Sequence, residues 1–109
     1  MTDGRLRAEL TSIGSTSAEV ALSDAPVGER LEAALLALAE HRAPRTTCPS
    51  DAARAVGGAD WRGLMERTRE IARDLARRGA VEVTQRGEVL DVDGAWRGPI
   101  RVRLARPGR

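Results

Sequence analysis

Apolar residues recur with a helical period in two parts of the chain. Between residues 29 and 42 they follow the i, i+3, i+4, i+7 spacing of one helix face, at Leu31, Ala34, Leu35 and Leu38. Between residues 61 and 78, one arc of roughly 120° on a helical projection collects a second set. This set comprises Trp61, Leu64, Met65, Thr68, Ile71, Ala72 and Leu75. The pattern predicts two amphipathic helices, over 29–42 and 61–78, whose apolar faces meet in a core.

A short helix is predicted between these two, over residues 49–56. Pro49 suits the first helical position, and Asp51 places a carboxylate at the positive end of the helix. Two glycines then end this helix, and Asp60 is a suitable N-cap for the longer helix that follows. A short helix, a tight turn and a long amphipathic helix form the helix-turn-helix pattern.

The rest of the chain alternates apolar and polar residues twice, over 81–85 and 100–104. This period predicts two strands, each with one buried face. Arg86–Gly87 and Asp93–Gly94 are turn signals between the strands, and Glu88–Leu90 is a candidate short strand. The segment between the two main strands is the predicted wing.

These elements give the order helix, extended connector at 45–47, helix, turn, helix, strand, wing, strand. This is the order of a winged helix-turn-helix, an α+β fold of three helices and a small antiparallel β-sheet. We predict that the domain spans residues 28–105 and that residues 106–109 are a C-terminal tail. Residues 1–27 show no sustained helical period, and their two short alternating runs favour either a flexible arm or a short hairpin.

Composition adds limits on size and compartment. A chain of 109 residues has room for one domain. Aromatic residues make up only 2%, so Trp61 is the one large side chain expected to anchor the core. The sequence has no apolar run near the roughly 20 residues that span a membrane and no leader pattern. With only one cysteine, these features predict a cytoplasmic protein without an internal disulfide.

Charge is distributed unevenly along the chain. All 18 basic side chains are arginine, and the formal net charge is +2. Residues 1–41 carry three arginines and seven acidic residues, a net charge of −4. Residues 42–109 carry fifteen arginines and nine acidic residues, a net charge of +6. The basic half contains the predicted helix-turn-helix and wing. This distribution is typical of a protein with a polyanionic partner.

The third predicted helix carries a stripe of basic residues on its solvent side, at Arg62, Arg69, Arg73 and Arg77. In a helix-turn-helix protein this face enters the major groove of DNA, where arginine pairs with guanine or phosphate. We therefore predict that this arginine stripe binds nucleic acid. The competing interpretation is a solvated face with i, i+4 charge pairs, which Glu66 and Glu70 favour because carboxylates repel phosphate.

The wing carries a second candidate set, Gln85, Arg86, Trp96 and Arg97, with Arg101 and Arg103 at its base. A wing commonly follows the DNA backbone or enters the minor groove, where Trp96 would stack or wedge. We predict that Arg86 and Arg97 bind nucleic acid there. The alternative is that Trp96 folds back over the sheet, because the chain has few other aromatic residues for its core.

Cys48 is a candidate reactive thiol, because it directly precedes a helix and lies near Arg45 and Arg54, and both features favour the thiolate. The alternative is a small, packed cap residue. His41 and Cys48 flank a proline, and no third group orients them as a catalytic pair, so we predict no enzyme activity. The usual four-ligand zinc site and a glycine-rich phosphate motif are missing from the sequence, so no metal and no cofactor are expected.

Four motifs, taken in order, strengthen the fold prediction. They are Thr47–Cys48–Pro49–Ser50–Asp51 with Ala53 and Arg54, Asp60–Trp61–Arg62 with Leu64 and Met65, Val83–Thr84–Gln85–Arg86–Gly87, and Gly98–Pro99–Ile100–Arg101 with Arg103. Together they resemble a small bacterial domain family of unknown function, over about residues 29–104. The resemblance implies a winged-helix-like fold, and it brings no established activity, ligand or catalytic residue. Arg86 stands where the family pattern has lysine, which keeps the positive charge.

The leading hypothesis is a small nucleic-acid-binding protein, with duplex DNA favoured, that uses the third helix and the wing. The alternative is a protein- or peptide-interaction module without nucleic-acid binding or catalysis, since winged helices serve both roles and the fold alone does not choose. The acidic residues of the third helix and the modest net charge favour this alternative.

Overall fold

The computed structural model describes residues 4–105 of the chain. In this range helices come first and a small sheet follows. The helices are α1 (Gly4–Ile13), α2 (Thr16–Leu22), α3 (Val27–Arg42), α4 (Pro49–Gly57) and α5 (Met65–Arg77), with a 3₁₀ segment (Gly58–Leu64) before α5. The strands are β1 (Val81–Gln85), β2 (Glu88–Val89) and β3 (Arg101–Leu104). No helix among the described residues has the length and apolar character to cross a bilayer.

Helices α3 and α4 confirm two predicted helices with small shifts at their ends. Leu31, Leu35 and Leu38 on α3 are fully buried, as their spacing predicts. Helix α4 has Pro49 in its first turn, and it ends where Gly58 takes a positive φ of 58°. A side chain disfavours this backbone conformation, so glycine suits the end of the helix.

The start of the third predicted helix is wrong. Helix α5 begins at Met65, and Asp60 lies inside the 3₁₀ segment with φ −95° and ψ 16°, where it does not cap a helix. Three glycines between positions 57 and 63 weaken α-helix propensity here, which favours the tighter turns of a 3₁₀ segment. Trp61 is only half-buried and is not a core anchor. Its ring centroid lies 4.4 Å from Cζ of Arg54 and 4.6 Å from Cζ of Arg62.

Residues 4–22 form α1 and α2, and neither the predicted hairpin nor a flexible arm describes them. Leu6 and Leu10 are buried on α1, and Ala18 and Ala21 are buried on α2. The pair on α1 lies four residues apart, so the first and last residues of the alternating run at 6, 8 and 10 also share one helix face. The buried pair on α2 has the three-residue spacing of a helix. Ser15 caps α2 by accepting a hydrogen bond from the amide of residue 18 at 3.1 Å. The predicted tail at 106–109 lies outside the described residues.

The three strands form an antiparallel sheet in the order β2-β1-β3. Val83 is opposite Val102, and Thr84 is opposite Val89 on the other edge of β1. Arg86 and Gly87 join β1 to β2 with φ of 52° and 85°, the positive values of a type I′ hairpin turn. Thr47 forms an isolated bridge with Val102, which confirms the extended connector.

A core of leucine, valine and alanine joins the helices to the sheet. Its largest members are Leu6, Leu10, Leu31, Leu35, Leu38, Leu75, Val83, Ile100 and Val102. The predicted α+β class is confirmed, and the arrangement is compatible with a winged helix. One side of α5 packs on this core. The other side contacts the segment between β2 and β3.

Candidate nucleic-acid interface

Three members of the arginine stripe contact the segment that follows β2, residues 90–99, which we call the wing loop. Arg69 donates from Nη2 to the carbonyl of Trp96 at 2.9 Å and from Nη1 to that of Gly98 at 3.2 Å. Arg73 donates from Nη1 to the carbonyl of Gly94 at 2.9 Å and also to that of Val92. These bonds fasten the wing loop along the solvent side of α5.

The last arginine of the stripe makes an ion pair with the same loop. Arg77 Nη2 lies 3.0 Å from Oδ1 of Asp93, and both side chains are more than half exposed. Arg62 has a different neighbour, since it stacks on Trp61 within the 3₁₀ segment. The stripe therefore has internal contacts at every position. Its predicted role in nucleic-acid binding stays a prediction, and the structure adds a role in holding the wing loop.

Trp96 packs inward, as the alternative interpretation of this residue predicts. It is half-buried against the hydrophobic core, and its ring centroid lies 4.0 Å from Cζ of Arg73. Its indole nitrogen donates to the carbonyl of Asp91 at 2.8 Å. Glu66 and Glu70 line the small cleft beside it. The Trp96 ring and its indole N–H are thus engaged in contacts within the fold. A nucleic-acid base that stacked on this ring would lie beside the carboxylates of Glu66 and Glu70.

A basic groove opens at the far end of the wing loop, and we call it the wing groove. It has a volume of about 440 Å³ and is lined by Gln85, Arg86, Arg97, Gly98, Pro99 and Arg101. Gln85 fixes its shape, because Nε2 donates to the carbonyls of Arg97 at 2.6 Å and of Pro99 at 2.9 Å. Arg86 and Arg97 are exposed, and within the described chain their side chains make no hydrogen bond or ion pair. The groove is therefore positively charged and lined by no carboxylate.

A second basic groove, which we call the connector groove, adjoins the first. It has a volume of about 640 Å³ and is lined by Arg5, Arg42, Arg45, Thr46, Asp51 and Arg101. Arg101 lines both grooves. Arg103, the next outward residue of β3, is instead neutralised by Glu82 across the sheet at 2.9 Å. The two grooves share Arg101, and we refer to the arginines that line them together as the basic surface.

A network of charges fixes the base of the connector groove. Arg42 donates to both carboxylate oxygens of Glu9 at 3.0 and 2.7 Å, and to Asp51 at 2.7 Å. The hydrogen bond from Arg42 lowers the pKa of Glu9, against the opposing effect of burial. The same bond raises the pKa of Arg42. This network ties α1 and α4 to the end of α3.

Sequence reasoning missed Arg5 and Arg45 as members of the basic surface. Arg5 falls in the segment predicted as an arm or hairpin, and Arg45 lies far from the wing in sequence. The paired positions Thr47 and Val102 bring the connector beside β3. The one available signal was the predicted extended connector at 45–47, because an extended segment that pairs with β3 brings Arg45 near Arg101.

Cys48 directly precedes α4 and is partly buried, and its Sγ lies 2.9 Å from Oγ of Ser50. This contact is compatible with a packed cap, and the proposed reactivity stays a prediction. His41 lies 4.0 Å from the Glu9 carboxylate, in the charge network. Within residues 4–105, no group of three or more His, Cys, Asp or Glu residues is arranged to hold a metal ion.

Comparison with known families gives one assignment. A family model described as "Protein of unknown function (DUF3253)" matches residues 28–105. The matched range begins after α2 and includes both grooves except for Arg5. No curated protein matches the chain.

Proposed function

The chain belongs to the family DUF3253, and we propose that it binds nucleic acid, with duplex DNA favoured, through the wing groove. The observation that carries this proposal is the pair Arg86 and Arg97. Both guanidinium groups are exposed at one groove and have no acidic partner among residues 4–105. Uncompensated arginines on one concave surface are the electrostatic feature that phosphate contacts require.

The two tryptophans favour a duplex over a single strand. Proteins that bind single strands stack successive bases on exposed aromatic rings. Here Arg54 and Arg62 flank the ring of Trp61, and Arg73 covers that of Trp96. Phosphate contacts are then the main source of affinity, and a duplex offers two backbones at a fixed spacing.

The test is a titration of a fluorescently labelled duplex with the protein at two salt concentrations. Each phosphate contact contributes a log-log slope of about −0.9 for duplex DNA, so Arg86→Gln and Arg97→Gln should each flatten the slope by about that amount. Arg67→Gln is the matched control. Arg67 is exposed on α5, lies against Gly28, and lines neither groove. Each of the three substitutions removes one positive charge, so a general electrostatic effect alone would change the salt slope equally in all three variants.

The alternative, a protein-interaction module, makes a different prediction in the same experiment. A protein that binds only other proteins shows no salt-dependent binding to the duplex at low salt, and this result would overturn the proposal. Partners that co-purify from a native host would then survive nuclease treatment, whereas partners tethered through nucleic acid would be lost.

A further inference from the structure

Three guanidinium groups that line the connector groove make no ion pair among residues 4–105. The fourth, that of Arg42, makes four hydrogen bonds within the fold: Nε and Nη2 donate to Glu9, and Nη1 donates to Asp51 and to Thr47 Oγ1. Arg42 and Asp51 therefore form a fixed base for the groove. The remaining positive charge belongs to Arg5, Arg45 and Arg101.

Arg101 is held in place by neutral groups only. Its Nε donates to Oγ1 of Thr46 at 2.9 Å, and its Nη2 donates to the Thr46 carbonyl at 3.2 Å. A guanidinium has five N–H donors, so the greater part of its donor capacity is left for another acceptor. The bridge between Thr47 and Val102 fixes the two backbones that carry this contact. Arg101 is thus pre-positioned and keeps its full charge.

Arg5 and Arg45 complete the groove from two other elements. Both side chains are exposed, and neither makes a hydrogen bond or ion pair within the described part of the chain. Together with Arg101 they line the groove, which has a volume of about 640 Å³. Three like charges at one concavity repel one another, and an anion with several acceptor oxygens relieves this repulsion while it accepts from more than one guanidinium.

We propose that the connector groove is a phosphate-binding site. Because Arg101 lines both grooves, a phosphodiester backbone that occupies the wing groove can continue into the connector groove. That the bound phosphate belongs to a nucleic-acid backbone depends on the proposed function. A free phosphate compound is the other source of the same chemistry.

The first arm of the test uses the full chain and a labelled duplex. The double variant Arg5→Gln/Arg45→Gln should flatten the salt slope by about 1.8, since two phosphate contacts are removed. Arg67→Gln removes one charge outside both grooves and should leave the slope unchanged. The side chains of Arg5 and Arg45 make no hydrogen bond or ion pair among residues 4–105. Arg5 acts on Glu9 only through its charge, so the midpoint of thermal unfolding of the double variant should lie only slightly below that of the wild type.

The second arm uses inorganic pyrophosphate, followed by NMR of the backbone amides. A saturable shift at Thr46 and Arg101 is expected in the wild type and in Arg67→Gln, and it should be lost in the double variant. If the wild type binds pyrophosphate but no duplex, the site stands with a free phosphate compound as its ligand and the proposed function fails. If Arg86→Gln weakens duplex binding while the double variant matches its control and pyrophosphate causes no shift, the proposed function stands and the connector site is refuted. If neither ligand binds, both are refuted.

Discussion

The guanidinium of Arg73 lies over the ring of Trp96, with 4.0 Å between Cζ and the ring centroid. The same guanidinium donates to the carbonyls of Val92 and Gly94. One side chain of α5 thus orders three positions of the wing loop. The loop has little regular structure of its own, so its position depends on such contacts.

Arg73→Gln should destabilise the protein by about 2–3 kcal/mol, because two charge-assisted hydrogen bonds and a cation–π contact are lost together. Chemical denaturation would measure this change in the free energy of unfolding. Hydrogen exchange should also accelerate within residues 90–99 and stay unchanged in α3. Arg77→Gln is the control on the same helix. Its ion pair with Asp93 is exposed, so its loss should cost less than about 1 kcal/mol. Equal effects in the two variants would contradict the role given to Arg73.

The sequence predicts which side of α5 is buried but not what covers the other side. Periodicity identified Thr68, Ala72 and Leu75 as inward positions, and all three are buried. The same period places Arg69 and Arg73 outward, which is correct relative to the core. Their partners are backbone carbonyls more than 15 residues away in sequence. Backbone carbonyls leave no signature in residue type, so only the path of the chain reveals these contacts.

Arg86 has a backbone conformation that few side chains adopt, with φ 52°. Asparagine tolerates this region better, and Asn-Gly is the favoured pair for a type I′ turn. Arg86→Asn should therefore stabilise the protein by about 0.5–1 kcal/mol while it weakens duplex binding. Thermal unfolding and a salt titration of binding would measure the two effects. An increase in stability together with unchanged binding would show that Arg86 contacts no phosphate.

Gly87→Ala, at the next position of the turn, should lower the stability of the protein and leave duplex binding unchanged. Gly87 has φ 85°, and no atom lies within 4 Å of where its Cβ would be. Any loss of stability then comes from the backbone alone and should be about 1 kcal/mol. Duplex binding by the folded variant should remain near that of the wild type, because no charge is removed. A strong loss of binding would indicate that the shape of the turn is recognised as well as its charge.

The candidate site is less predictable from sequence than the core, for a physical reason. A buried face repeats along one element, so Leu31, Leu35 and Leu38 reveal it locally. A charged surface is assembled from several elements, and Arg5, Arg45 and Arg101 come from a helix, a connector and a strand. Their proximity depends on the Thr47–Val102 bridge and on the packing of α1. Charge counts along the sequence found the basic half of the chain and could not find this surface.

The ion pair between Arg42 and Glu9 should make stability depend on pH in the acid range. Glu9 has a lowered pKa in the folded protein, caused first by its hydrogen bond from Arg42, and the charges of His41 and Arg5 act in the same direction. The unfolded chain therefore takes up a proton at Glu9 before the folded protein does. The stabilisation is complete above the unfolded pKa, near 4.5. It is lost as the pH falls through the lower folded value.

Glu9→Gln removes this titrating group with little change in shape. At neutral pH the variant should be less stable than the wild type by about 1–2 kcal/mol, because charged hydrogen bonds to Arg42 become neutral ones. The difference should shrink steadily below about pH 4.5, since the wild type then loses the same interaction by protonation. Urea denaturation at several pH values would measure it. Glu19→Gln removes an exposed carboxylate on α2 and is the control. At neutral pH it should change the free energy of unfolding by less than Glu9→Gln does. If Glu9→Gln gave a constant difference, the Arg42 ion pair would not be the source of the acid sensitivity.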